Sequence, residues 1–142
     1  MQLRSILSAT LFLVASCANP FASDWKEEIA FVVELEPGDF LQLPDVATAG
    51  AEVQIQVRTG GSGNCTRISR TRLQWETPTS LLITPFNDSK WGRAVCNANL
   101  QFLHHSVTVR FPVGGTYTLR VRARSGQREE VSIVASETVV VH

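Results

Sequence analysis

Apolar residues recur at alternate positions through most of this chain, and Val, Ile and Thr are abundant in the alternating stretches. That period of two marks strands with one buried face rather than helices. Phe31, Val33 and Leu35 alternate with Glu34 and Glu36, and Pro37-Gly38-Asp39 then makes a turn. Val53, Ile55 and Val57 alternate with Glu52, Gln54, Gln56 and Arg58, and the glycines at 60, 61 and 63 read as a flexible hairpin end. In a third strand Leu73 and Trp75 point one way while Arg70, Arg72 and Gln74 point the other. Residues 81–86 form a short apolar strand, stopped by Asn87-Asp88. Val107, Val109 and Phe111 alternate with Thr108 and Arg110, Gly114-Gly115 turns the chain, and Tyr117, Leu119, Val121 and Ala123 alternate with Thr118, Arg120, Arg122 and Arg124. Residues 131–141 close the chain as a last strand. About seven short strands with glycine-bearing turns and no amphipathic helix predict an all-β antiparallel sandwich.

The first residues break this pattern. Arg4 precedes an apolar run over 6–15 that ends in Val14-Ala15-Ser16-Cys17. A basic start, about ten apolar residues and small residues at their end describe an export signal, too short to span a bilayer as a permanent helix. The last four residues resemble the bacterial lipobox, in which the cysteine thiol is lipidated and the chain is cut just before it. The resemblance implies a signal peptide over 1–16, an acylated Cys17 at the mature N-terminus, and a location in the bacterial cell envelope. An ordinary secretory signal cut after Ala18 or Ser23 is the alternative. Ala18 is not the aspartate associated with inner-membrane retention in enteric bacteria, which favours the outer membrane.

Removing the signal leaves 126 of the 142 residues, enough for one core. Residues 17–25 read as a tether and 26–142 as one domain. Of three cysteines, lipidation of Cys17 leaves Cys65 and Cys96 as an even pair, which should form a disulfide outside the cytoplasm.

The segment 107–121 resembles the late strands of bacterial immunoglobulin-like and PKD-type domains. In those families a strand of alternating Val and Thr leads through Pro and Gly into Gly-x-Tyr-x-Leu-x-Val. Here Phe111-Pro112 leads to Gly115-Thr116-Tyr117-Thr118-Leu119-Arg120-Val121. The likeness implies an immunoglobulin-like sandwich with strand E at 107–111, strand F at 116–124 and strand G at 131–141. It makes Tyr117 the tyrosine-corner residue and Trp75 the buried tryptophan of strand C. Leu119 stands where antibody-type domains carry their strand F cysteine, so the Cys65–Cys96 bridge should instead pin a long loop to the B–C region.

Catalytic and metal motifs are weak. No serine sits in a Gly-x-Ser-x-Gly elbow, so no catalytic residue is assigned and the chain is read as a non-enzyme. His104 and His105 are adjacent, and strand neighbours project to opposite faces, so they read as a surface pair rather than a metal site. Asn87-Asp88-Ser89 lacks the spaced acids of a calcium cage. No cofactor is implied. Asn64-Cys65-Thr66 and Asn87-Asp88-Ser89 match the glycosylation sequon, which carries little meaning beside a lipobox.

Charge is segregated: residues 18–52 hold eight acids and one base, whereas 53–128 hold two acids and eleven bases. Strands C and F are neighbours in an immunoglobulin-like sheet, so Arg70, Arg72, Arg120, Arg122 and Arg124 should share one outward face. That basic plate would suit an envelope protein, an acidic glycan or lipopolysaccharide phosphate. Internal compensation by Glu34, Glu36, Glu129 and Glu130 is the competing reading. Nucleic acid is excluded by location and by the want of interleaved aromatics. The sequence therefore points to a lipid-anchored binding or accessory module, with a purely structural envelope lipoprotein as the alternative.

Overall fold

A computed structural model describes residues 24–36, 38–91, 95–125 and 130–142. The signal segment, Cys17, most of the tether and Glu129 lie outside them. Nine strands follow in chain order: β1 (Trp25–Ile29), β2 (Phe31–Val32), β3 (Leu41–Gln42), β4 (Glu52–Ser62), β5 (Thr66–Thr77), β6 (Ser80–Lys90), β7 (Leu100–Arg110), β8 (Gly115–Ser125) and β9 (Val131–Val141). The described residues are all-β, as expected, without helix.

Connectivity departs from the expected antiparallel sandwich of seven strands. All nine strands belong to one mixed sheet that curls into a half-barrel. β4 pairs antiparallel with β7, and β8 with β9, but β6 runs parallel to β8 and β2 runs parallel to β8. β5 pairs with β6 and not with β8. Alternation tells which face a side chain takes and is silent on which strand lies beside it, so the faces were legible and these neighbours were not.

The core lies inside the curl. Val53, Ile55 and Val57 of β4, Leu81 and Ile83 of β6, and Tyr117, Leu119, Val121 and Ala123 of β8 are buried together with Val109, Phe111, Val139 and Val141. The Tyr117 hydroxyl donates to the Val113 carbonyl at 2.9 Å, the backbone contact expected of a tyrosine corner. Phe111 packs on the Tyr117 ring with 4.7 Å between centroids.

Three local expectations change. Trp75 is not a buried core residue: it is 44% exposed, because β5 has a ladder partner on one side only, and it meets Phe111 and Tyr117 edge-on at 6.1 and 6.0 Å. Asn87-Asp88 does not stop β6, which continues to Lys90 because β1 and β5 pair with its last residues. Gly60 and Gly61 lie within β4 rather than at a flexible end. A Cβ on Gly60 would collide with Val33 and one on Gly61 with Thr66, so close packing requires both glycines.

The disulfide is present between Cys65 and Cys96, with Cα atoms 5.5 Å apart. It ties the β4–β5 turn to the β6–β7 connection, as the sequence implied. Asn64 reinforces the join by donating to the Val95 carbonyl at 3.0 Å and accepting from the Asn97 amide at 2.8 Å.

Candidate functional site

The five arginines do share a face, across β6 rather than on adjacent strands. Arg70 and Arg72 of β5 stand opposite Phe86 and Thr84 of β6, and Leu82 of β6 stands beside Arg120 of β8. Paired residues project to one side, so these arginines and the alternating Arg122 and Arg124 take the outer surface while Leu119, Val121 and Ala123 face the core. Leu82 and Thr84 are buried on this outer side, as expected beneath arginine stems that lie along the sheet. The guanidinium groups of Arg70 and Arg72 lie 4.5 and 5.4 Å from the Phe86 ring centroid.

Carboxylates interleave with this plate, and those seen on it are Glu27, Glu28 and Glu76 rather than Glu34 or Glu36; Glu129 lies outside the described residues. Arg70 grips Glu27 through two bonds, Nε to Oε1 at 2.9 Å and Nη2 to Oε2 at 2.7 Å. Hydrogen bonds from Arg70 and then from Ser69 pull the Glu27 carboxyl down to about 2, and the charge of Arg72 adds to the shift. Arg120 pairs with Glu76 at 2.8 Å and Arg124 with Glu28 at 3.1 Å, while Arg124 Nε also donates to the Ile29 carbonyl at 2.7 Å. Glu27 and Glu28 are in reach because β1 pairs with the far half of β6. Glu34 instead caps the Gly38 amide, and Glu36 offers its backbone carbonyl to Asp39. Arg72 and Arg122 have no carboxylate partner among the described residues. Three of the five arginines are thus paired with a carboxylate and two are not, among the described residues.

A second feature is a shallow groove of about 360 Å³ lined by Trp75, Pro78, Arg110 and Pro112. Arg110 pairs there with Glu52 at 3.2 Å. The exposed indole makes this groove, and its reading as a core tryptophan hid it.

The histidines separate as strand neighbours must, but they are not a surface pair. His104 is exposed, whereas His105 is 2% exposed. Its Nε2 lies 2.9 Å from Asn87 Oδ1 and its Nδ1 lies 2.9 Å from Thr71 Oγ1. Asn87 Nδ2 donates to Thr59 Oγ1 at 3.3 Å, and the Thr59 hydroxyl donates to the Leu103 carbonyl at 3.4 Å. With the Asn87 amide nitrogen spent on Thr59, its oxygen accepts from Nε2–H, and Nδ1 accepts from the Thr71 hydroxyl. The ring is thereby neutral, and burial pushes its pKa down to about 4. The network joins β4, β5, β6 and β7 through side chains that satisfy one another. Although hydroxyl, imidazole and amide follow in the order of a nucleophile relay, neither histidine lines the groove, and a base with a pKa near 4 is a weak proton acceptor at neutral pH. The alternation Leu103-His105-Val107-Val109-Phe111 was the available signal that His105 lies on the apolar side.

No group of three or more His, Cys, Asp or Glu side chains could hold a metal ion among the described residues. Comparison with protein-family models, curated proteins and solved structures finds no match to this chain.

Proposed function

We propose that this protein is a lipid-anchored, extracytoplasmic binding or accessory module of the bacterial cell envelope, held at the outer membrane through Cys17. Its docking surface is the outer face that carries Arg70, Arg72, Arg120, Arg122 and Arg124. The observation that carries this reading is the convergence of all five arginines on one face, three of them paired with a carboxylate and two not, among the described residues. Exposed ion pairs of this kind are weak and exchangeable, so an anionic partner can take over a guanidinium from Glu76 or Glu28. The partner class is an envelope protein with an acidic surface, an acidic glycan or the phosphates of lipopolysaccharide.

Arg72 and Arg122 are the residues to change, because reversing them breaks none of the ion pairs described. A pull-down from detergent-solubilised envelope should capture an anionic component with the wild type and release it as salt rises, since exposed charges are screened beyond about 10 Å at 0.1 M. Arg72→Glu with Arg122→Glu should fold normally and lose that capture by about tenfold or more. Equal capture with the same salt dependence would reduce the face to a solvated sheet surface. The interleaving of Glu27, Glu28 and Glu76 favours a second reading, an envelope lipoprotein whose arginines serve its own stability and which has no discrete ligand site.

A further inference from the structure

The end of the domain at which β1 begins gathers an unusual set of exposed side chains. Trp25 and Trp91 are 38% and 50% exposed, and Val95 and Leu100 are 88% and 57% exposed. All four lie at one end. Trp25 pairs with Lys90, so β1 starts where β6 finishes, and Leu100 pairs with Ser62, so β7 starts where β4 finishes. Val95 is held to the β4–β5 turn by the Asn64 bond and the adjacent disulfide. Each tryptophan is attended by cations: Arg67 and Lys90 lie 4.1 and 5.2 Å from the Trp25 centroid, and Lys26 lies 4.4 Å from that of Trp91. Asp88 neutralises Arg67 at 3.0 Å, and Asp24 adds one more acid nearby. Lys26 and Lys90 have no carboxylate partner among the described residues.

We infer that this end rests on the surface of the lipid bilayer, with Trp25, Trp91 and Val95 in the interface and Lys26 and Lys90 against lipid phosphates. Resting on the lipid-anchor reading, the inference goes beyond it by fixing how the domain stands. Trp25 is the eighth residue after Cys17 in the sequence, and eight fully extended residue steps reach at most about 29 Å. An acyl group at Cys17 thus keeps this end, and not the Trp75 end, beside the membrane. Indole rings partition to the headgroup level, and lysines beside them add attraction to anionic lipid. A lipid with two acyl chains at Cys17 already secures attachment, so the basic, indole-bearing surface sets how the domain stands rather than whether it is held. The disulfide keeps Val95 and the strand ends in one rigid platform. The Trp75 groove then faces away from the membrane.

The test uses the exported, processed protein with Trp75→Phe, so that emission comes from Trp25 and Trp91 alone, reconstituted in phosphatidylcholine/phosphatidylglycerol vesicles. Bromine-labelled acyl chains should quench that emission by half or more. The Cys17→Ser protein should still sediment with the same vesicles, and Lys26→Glu with Lys90→Glu should weaken that binding about tenfold. Unquenched emission from acylated protein in vesicles would overturn the docking while leaving the anchor intact. Vesicle binding by a protein that carries no acyl group in the wild type would do the reverse. A dimer that buries Trp25 and Trp91 and leaves them unquenched would overturn the docking in favour of a second copy.

Discussion

Acidifying the protein from pH 7 to pH 4 should lower its unfolding free energy by on the order of 3 kcal/mol, before its carboxylates contribute much. His105 is the cause. Its pKa is about 4 in the folded protein against 6.5 for the free side chain, so between those values the unfolded chain takes up a proton that the folded chain refuses. Stability rises with pH wherever the unfolded state binds more protons. The contribution is therefore complete above about pH 6.5 and is lost as pH falls toward 4, at about 1.4 kcal/mol per pKa unit. Protonation would place a second donor on a ring whose Nδ1 already accepts from Thr71. Glu27 acts lower, because a carboxyl held near 2 contributes stability that is present above pH 4.5 and lost only as pH falls further. Urea unfolding at half-unit pH steps reads this directly, and His105→Gln should flatten the curve between pH 6.5 and 4.5. A slope that survives in the variant would place the proton uptake elsewhere.

Removing the disulfide should cost a comparable amount. Cys65 and Cys96 are 31 residues apart, and closing a loop of that length in the unfolded chain is worth about 4 kcal/mol in the chain-entropy model. That is a large share of the roughly 5–15 kcal/mol by which domains of this kind are stable. The loss falls on the end where the β4–β5 turn meets the β6–β7 connection, since the hydrogen bonds of Ser62, Gly63 and Asn64 then hold the two together without the covalent tie. Cys65→Ala with Cys96→Ala, followed by urea unfolding, should show the midpoint falling with little change in native circular dichroism. A loss below about 1 kcal/mol would mean that the hydrogen bonds of Ser62, Gly63 and Asn64 suffice to hold the loop.

Much of the inside–outside pattern was legible, because a strand with one buried face writes it at every second residue. Val53, Ile55 and Val57, and Tyr117, Leu119, Val121 and Ala123, are buried as their alternation predicts. β6 escaped that logic. Both of its faces are covered from Leu81 to Pro85, so it presents an unbroken apolar run that gives neither its length nor its neighbours. Its position between β5 and β8 is what moved Arg70 and Arg72 away from β8. β1 was not legible as a strand, its first residue falling in the tether and 26–29 in no predicted element, although it supplies Glu27 and Glu28 to the arginines. Trp75 fitted a buried core position by resemblance, yet an edge strand leaves it half in solvent. Asn87 looked like a turn residue because asparagine favours turns. Its partners, His105 and Thr59, lie 18 and 28 residues away, and no local pattern announces a bond at that distance.

Membrane attachment through Cys17 underlies both the proposed function and the orientation on the bilayer, and the N-terminal peptide of the exported protein tests it most directly. Mass spectrometry of that peptide should find a chain beginning at Cys17, its thiol carrying a diacylglycerol through a thioether, and ester hydrolysis should remove the two acyl chains and leave the glyceryl group on sulfur. Cys17→Ser should lose the modification and leave the integral membrane fraction. An unmodified chain beginning at Asn19 or Asp24, or one that keeps residues 1–16 uncut, would contradict the lipid anchor.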